Sequence, residues 1–135
     1  MDDGMRWPVA EYIRTLVFIE GQACPEEEEF DGLDAGCEHF LAMWKGEPAG
    51  TARVRTTSEG VKLERYAVLD PFRRLGIGKA LVEATLAYAK SFGQPIYMHA
   101  QAEVEGLYRP FGFRPIGDIF DEVGIPHRKM LYHSL

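Results

Sequence analysis

The sequence predicts one domain of mixed α and β structure, an α/β (α+β) class. Three observations carry this expectation. The chain has 135 residues, the usual size of a single domain. Three β-favouring stretches follow one another between turn signals, as in an antiparallel meander. A long amphipathic helix then intervenes before further short strand patterns.

Taken in order, Val9 to Phe18 places Val9, Ile13, Leu16 and Val17 near helical spacing, with Pro8 suited to a first turn and Gly21 and Pro25 as stops. Glu26 to Glu29 and Asp31 to Asp34 form an acidic loop or short helix, either a solvated face or a surface that attracts a cationic substrate. Cys37 to Trp44, Ala49 to Thr56 and Val61 to Leu69 are the three strands, with turns at Lys45–Pro48 and Ser58–Gly60. Ile77 to Phe92 is the most regular helix: Ile77, Leu81, Ala84 and Tyr88 line one stripe, Leu86 and Ala89 widen it, and Gly93 ends it. Ile96 to Ala100 reads as a strand, Val104 to Phe111 as a short helix, and Phe113 to Phe120 and Lys129 to Tyr132 as two last strands. The whole chain, 1–135, reads as a single domain without repeat or linker.

Composition narrows the function. Fifteen Lys and Arg against twenty-one Asp and Glu give a formal net charge of −6, the wrong sign for a chain that binds nucleic acid through its overall field. No apolar run approaches a membrane span, and the amino terminus lacks the pattern of a secretory signal, so a cytoplasmic location is expected. Cys24 and Cys37 stand in no metal-ligand spacing and are expected to be reduced; no metal is expected.

The most informative stretch is Val68-Leu69-Asp70-Pro71-Phe72-Arg73-Arg74-Leu75-Gly76-Ile77-Gly78-Lys79. An apolar strand ends, a turn follows at Asp70-Pro71, and a helix opens where Gly76 and Gly78 lack β-carbons. Unpaired amides and the helix dipole favour an anion there, and Arg73 and Arg74 add charge. The pattern suggests a pyrophosphate site. It satisfies neither the Walker loop nor the dinucleotide fingerprint.

This RxxGxG, between a strand and an amphipathic helix, resembles the acyl-CoA-binding motif of the GNAT superfamily of N-acetyltransferases. Gln101 to Phe113, with Tyr108 just ahead of Gly112-Phe113, resembles the second signature of that superfamily, with Gln101 where many members have Asn. Val17 to Gln22, Asp31 to Asp34, Gly50 to Val54 and Glu122 to Met130 are similar to the ElaA-like branch, although Gly21 replaces a common Glu. The resemblance covers nearly the whole chain. It implies a mixed, mostly antiparallel sheet flanked by helices, splayed between Val61–Leu69 and Ile96–Ala100, with acyl-pantetheine in the gap. Ala67 and Val68 would offer backbone groups to the pantetheine, while Arg73, Arg74, Gly76, Gly78 and Lys79 would surround the pyrophosphate of acetyl-CoA.

Acyl transfer from a thioester to an amine needs a neutral amine, a donor for the oxyanion and an acid for the leaving thiolate. The resemblance gives the acid to Tyr108. Glu64, Glu122 and His127 are alternative bases that no spacing rule separates; a strand Glu64 is most simply a surface charge, and His127 a structural hydrogen-bonding group. Phe30, Phe40 and Trp44 could wall an acceptor pocket or pack the core. The function expected from the resemblance is acetyl transfer to a small-molecule or exposed protein amine, by direct transfer; a silent acyl-CoA sensor or interaction module needs the same turn. A homodimer is compatible with the resemblance.

Overall fold

A computed structural model describes residues 3–24, 26 and 30–133. Of the acidic run, Glu27 to Glu29 lie outside the described residues, as do Pro25, Met1 and Asp2.

Six strands make one sheet: β1 (Glu38–Trp44), β2 (Glu47–Thr57), β3 (Gly60–Val68), β4 (Ile96–Gln101), β5 (Phe113–Glu122) and β6 (Ile125–Tyr132). Their spatial order is β1-β2-β3-β4-β6-β5, antiparallel everywhere except at β3 and β4. Among the described residues two long helices accompany it, α1 (Asp3–Arg14) and α2 (Ile77–Lys90). The expected meander and the strand after the helix are present, and the sheet opens where expected. Only Val61↔Ile96 and Lys62↔Tyr97 pair β3 with β4, after which the strands diverge. Gly60 makes that short junction possible: a β-carbon there would stand 2.2 Å from the Pro95 carbonyl oxygen, which accepts the Val61 amide at 2.7 Å.

The two faces of the sheet are covered differently. On one face α2 buries Ile77, Leu81, Val82, Thr85, Leu86 and Ala89, with Leu86 and Ala89 against Val54, Val61, Leu63, Met98 and Ala100, and Ile77 and Leu81 against Ala49 and Ala52. The buried stripe is thus rotated from the expected one, and Ala84 and Tyr88 lie outside it. Thr85 tolerates burial because its hydroxyl shares a 2.6 Å hydrogen bond with Tyr66 and reaches the Leu81 carbonyl at 2.8 Å. On the other face α1 packs across β1, β2 and β3 through Ala10, Ile13 and Arg14.

That second face carries a network of buried charge. Arg53, fully buried on β2, donates to Asp31 at 3.0 Å and Asp34 at 2.9 Å and lies 3.1 Å from Glu64; Arg14 donates to Asp34 at 2.6 Å. Asp31 and Asp34 are therefore structural acceptors. Burial would raise their carboxyl pKa values, but hydrogen bonds and charge from Arg53 and Arg14 hold both below the ordinary range.

Three expectations are corrected. The first helix starts earlier, so Pro8 lies inside it, and it continues as a π-helical turn over Thr15–Glu20. The helix expected at Val104–Phe111 is two 3-10 turns, Ala102–Leu107 and Arg109–Phe111, meeting at Tyr108; Pro110 has no amide with which to continue a helical ladder. The last two strands are longer, joined by a two-residue turn in which Val123 (φ 49°) and Gly124 (φ 78°) both adopt positive φ. This turn fixes Glu122 opposite Ile125, two residues ahead of His127.

The charge network predicts the acid limit of the fold. Carboxylates depressed by folding contribute stability that is complete above the unfolded value near 4 and is lost as pH falls below it. Arg53→Met should cost about 3–5 kcal/mol at pH 7, because it strands buried carboxylates, and should flatten the loss of stability below pH 4. Urea denaturation at pH 7 and across the acid range measures both; wild-type stability and acid dependence in the variant would remove Arg53 from this role.

Candidate active site

Where β3 and β4 part, a cleft of about 580 Å³ runs through the sheet. From β3 to the start of α2 it is lined by Glu64, Ala67, Val68, Arg73, Arg74, Gly76, Gly78 and Lys79, and from the other side by Tyr108, Glu122 and His127. All the residues singled out in the sequence as donor-binding or catalytic thus border one space.

Backbone supplies much of its chemistry. Beyond Lys62 the edge of β3 that faces β4 has no ladder partner, so its amides and carbonyls border the cleft. The register also slips: Thr51 pairs with Ala67 but Arg53 with Glu64, so Arg65 and Tyr66 together oppose Ala52. Arg65 takes a φ of 60° in this bulge, which bends β3 beside the opening.

After β3, a 3-10 turn at Asp70–Phe72 leads through Arg74 (φ 67°) and Gly76 (φ 85°) into α2. The first helical hydrogen bond is Ala80 N–H to the Gly76 carbonyl at 3.0 Å, which leaves the amides of Ile77, Gly78 and Lys79 without helical partners. Nothing in the fold fills the space beside these amides: a β-carbon on Gly78 would meet only Val68 Cγ2, at 4.0 Å. Arg73 folds back onto Asp70 and donates to the Val68 carbonyl at 3.1 Å, bracing the turn. The open, amide-lined start of a 14-residue helix with Arg74 and Lys79 at its margin fits a diphosphate.

Tyr108 enters from the α2 face, with its ring 5.9 Å from Tyr66 and 6.5 Å from Phe113. Among the described residues its hydroxyl has no hydrogen-bond partner, and burial pushes its pKa up to about 12. The hydroxyl therefore keeps its proton at neutral pH and is open to a ligand in the cleft.

The candidate bases separate physically. Glu64 is buried, not a surface charge, and four cations surround it: Arg55 Nε at 2.7 Å, Arg53 at 3.1 Å, Arg65 at 3.4 Å and Lys62 at 3.8 Å. Burial would raise its pKa, but Arg53, Lys62, Arg55 and Arg65 hold it down, which makes it a weak proton acceptor. Glu122 lies between two imidazoles, with Oε1 3.1 Å from His99 Nδ1 and Oε2 3.6 Å from His127 Nε2. The His99 hydrogen bond leads the effects that keep Glu122 below the ordinary carboxylate value, against the opposing pull of burial. His127 Nδ1 lies 2.7 Å from the Ile125 carbonyl, a hydrogen bond that fixes its ring.

Of the two readings of Phe30, Phe40 and Trp44, packing holds and pocket lining does not, and one residue is new. Phe40 and Trp44 pack beneath α2, and Phe30 stands 6.1 Å edge-on from Trp7 with Arg14 over its face; none lines the cleft. The cleft aromatics are Phe18, Tyr66, Phe72 and Tyr108. His99 was not singled out in the sequence. The signal was alternation, since Met98 and Ala100 are apolar neighbours on a strand and His99 must face the other way.

With this geometry in hand, the chain was compared with known proteins. The acetyltransferase (GNAT) domain family matches residues 16–133. The N-acetyltransferase YjcF of Bacillus subtilis, itself uncharacterized, is 33% identical over 122 residues, covering 89% of this chain and 87% of YjcF. ElaA of Escherichia coli is 31% identical over 121 residues, 85% of this chain and 79% of ElaA. Its crystal structure superimposes with a TM-score of 0.85 at 27% identity, covering 98% of this chain and 93% of that one. An acyl-CoA N-acyltransferase from Pseudomonas aeruginosa gives a TM-score of 0.84 at 28% identity, covering 94% and 90%. The six-stranded sheet with its helices thus shares the fold of these structures, and the chain belongs to the GNAT acetyltransferase family, N-acetyltransferases whose general reaction uses acetyl-CoA.

Proposed function

We propose that the protein transfers an acetyl group from acetyl-CoA directly to an amine, with the donor threaded through the gap between β3 and β4. The single observation that carries this reading is the continuity of the cleft: one space joins the unpaired edge of β3, the open amides at the start of α2 and the Tyr108 hydroxyl. In it the backbone at Ala67 and Val68 pairs with the pantetheine amides as a strand would. Gly76 and Gly78 let the diphosphate approach the amides of α2, and Arg73, Arg74 and Lys79 supply charge.

Tyr108 then lies where the thiolate departs. A phenol that holds its proton more tightly than usual stays protonated beside the sulfur but gives the proton up reluctantly, so its contribution belongs at the low end of acid catalysis. Of the three candidate bases, Glu64 is committed to its cations, whereas Glu122 and His127 adjoin each other at the cleft wall. The acceptor is a small molecule or an exposed protein amine, and a panel of polyamines, amino acids, aminoglycosides and peptides assayed for free-thiol release tests the activity. Acetyl-CoA bound without thiol release by any amine would favour the acyl-CoA sensor instead.

Substitutions at the turn separate ligand room from backbone strain. Gly78→Val should weaken acetyl-CoA binding at least tenfold in calorimetry with little change in folding, since its side chain enters the ligand's space. Gly76→Val carries the additional cost of a positive φ and should destabilise the fold by about 1–2 kcal/mol as well. Wild-type affinity in Gly78→Val would move the diphosphate site elsewhere. Acetyl-CoA should also raise the melting temperature where ATP and NAD do not.

Tyr108→Phe keeps the ring and removes the proton. The expected result is unchanged acetyl-CoA affinity with turnover reduced about 100-fold. Unchanged turnover would make Tyr108 a packing aromatic.

A further inference from the structure

We propose that His99 is the catalytic base of the acetyl transfer and that Glu122 is its positioning residue. The inference rests on the transferase reading above and adds to it a residue, an atom and a side of approach. Glu122 Oε1 lies 3.1 Å from His99 Nδ1, so a carboxylate holds the imidazole by its Nδ1–H and leaves Nε2 as the basic atom. Among the described residues Nε2 has no hydrogen-bond partner, and His99 borders the cleft. The ring is held in place by the edge of Phe120, 5.0 Å away at 78°, and by Tyr97 at 5.9 Å, whose hydroxyl shares a 2.7 Å hydrogen bond with Thr57.

The other candidates lack this combination. His127 is buried and its Nδ1 is committed to the Ile125 carbonyl, while its Nε2 is 3.6 Å from Glu122 and so confronts a carboxylate. Glu122 itself is engaged by two rings, and Glu64 by four cations. The charged groups around His99 are Glu122 on β5, His127 and Lys129 on β6, Lys62 on β3 and Glu59 in the turn before β3, the last tied to Lys129 at 2.6 Å.

Alternation on β4 also sets the direction of attack. Met98 and Ala100 belong to the core beneath α2, so His99 and Gln101 occupy the opposite face, where Gln101 Nε2 donates to Gln22 at 3.2 Å. Tyr108 packs with the α2-side core. Acid and base therefore stand on opposite faces of the sheet, meeting only through the gap between β3 and β4. The acceptor enters from the α1 face, past Phe18, Gln22 and Cys24.

The step balances as follows. A neutral amine attacks the thioester carbon, its lone pair forms the C–N bond, and the carbonyl π pair moves to oxygen. The nitrogen, now cationic, gives its proton to His99 Nε2. The oxyanion re-forms the carbonyl and the C–S bond breaks with its electron pair on sulfur, beside the Tyr108 hydroxyl. The Tyr108 hydroxyl gives its proton to the thiolate, which leaves as free thiol, and the proton held by His99 returns through water to the Tyr108 oxygen, which restores both groups.

Two measurements test this on the full chain, and the first needs no acceptor. Long-range nitrogen-15 correlation spectra of the labelled protein at alkaline pH should show neutral His99 with its proton on Nδ1, and Glu122→Gln should redistribute that proton between the two nitrogens. A His99 resonance protonated on Nε2 in the wild type overturns the proposal. The second is free-thiol release from acetyl-CoA with glycyl-lysine and with spermidine. His99→Gln should lower kcat at least 30-fold and leave KM for acetyl-CoA and its thermal shift unchanged; Glu122→Gln should lower kcat less. A His99→Gln enzyme with wild-type kcat overturns the proposal. Thiol release by neither amine in the wild type would count against the transferase reading with those acceptors, while the spectra still decide for or against the His99 geometry.

Discussion

The junction between β3 and β4 is two residue pairs long, and the rest of the active-site geometry depends on its brevity. A parallel pair that continued would satisfy the β3 backbone internally and close the sheet. Because the pairing stops at Lys62, a run of peptide groups is left without ladder partners, and buried peptide groups require partners. The fold thus presents at its centre a half-built strand pair, an edge of the kind that extended, amide-bearing ligands complete. Gly60 sets the start of this junction by admitting Pro95, and the bulge at Arg65 carries β3 away from it.

Keeping such a gap open requires rigid walls, and the two faces achieve this differently. Beneath α2 the wall is apolar, with Leu63, Leu86, Met98, Phe113 and Met130 among its members. Beneath α1 it is ionic: Arg53, Arg14 and Arg55 against Asp31, Asp34 and Glu64. A buried guanidinium is strongly destabilising if left unpaired, so the network fixes the loop at Asp31–Asp34 against β2 and β3 in one arrangement. The same commitment removes Glu64 from proton chemistry. The cleft carboxylate outside this network is Glu122, whose neighbours are the imidazoles of His99 and His127.

The helix start at Gly76 illustrates how a net acidic chain holds a locally favourable place for an anion. Net charge describes the far field, whereas the turn acts through oriented amides and nearby cations within a few ångströms. The RxxGxG stretch was readable because each of its parts is local: a strand end, a turn and a helix start are specified by residues that adjoin in sequence. Tyr108 was readable from the Gly-Phe motif that follows it, although Pro110 breaks the expected helix into two 3-10 turns. Glu64 reads as a surface charge in sequence because its two nearest cations, Arg53 and Arg55, come from β2 and are brought to it only by the pairing of β2 with β3. His99 went unnoticed for the same reason: its partner, Glu122, is 23 residues away.

The sequence by itself determined the order of strands and the glycine-opened helix start, since hydrophobic period and turn chemistry are encoded over short spans, while the place of the splay came with the family resemblance. It also determined the family, through motifs of that same local kind. The register of the last hairpin was decided only in three dimensions, where Val123 and Gly124 both turn through positive φ and set Glu122 near His99 and His127. The burial of Arg53 and the choice among the carboxylates were decided there too. Each of these depends on which distant side chains share a low-dielectric space, and one-dimensional spacing carries no measure of that proximity.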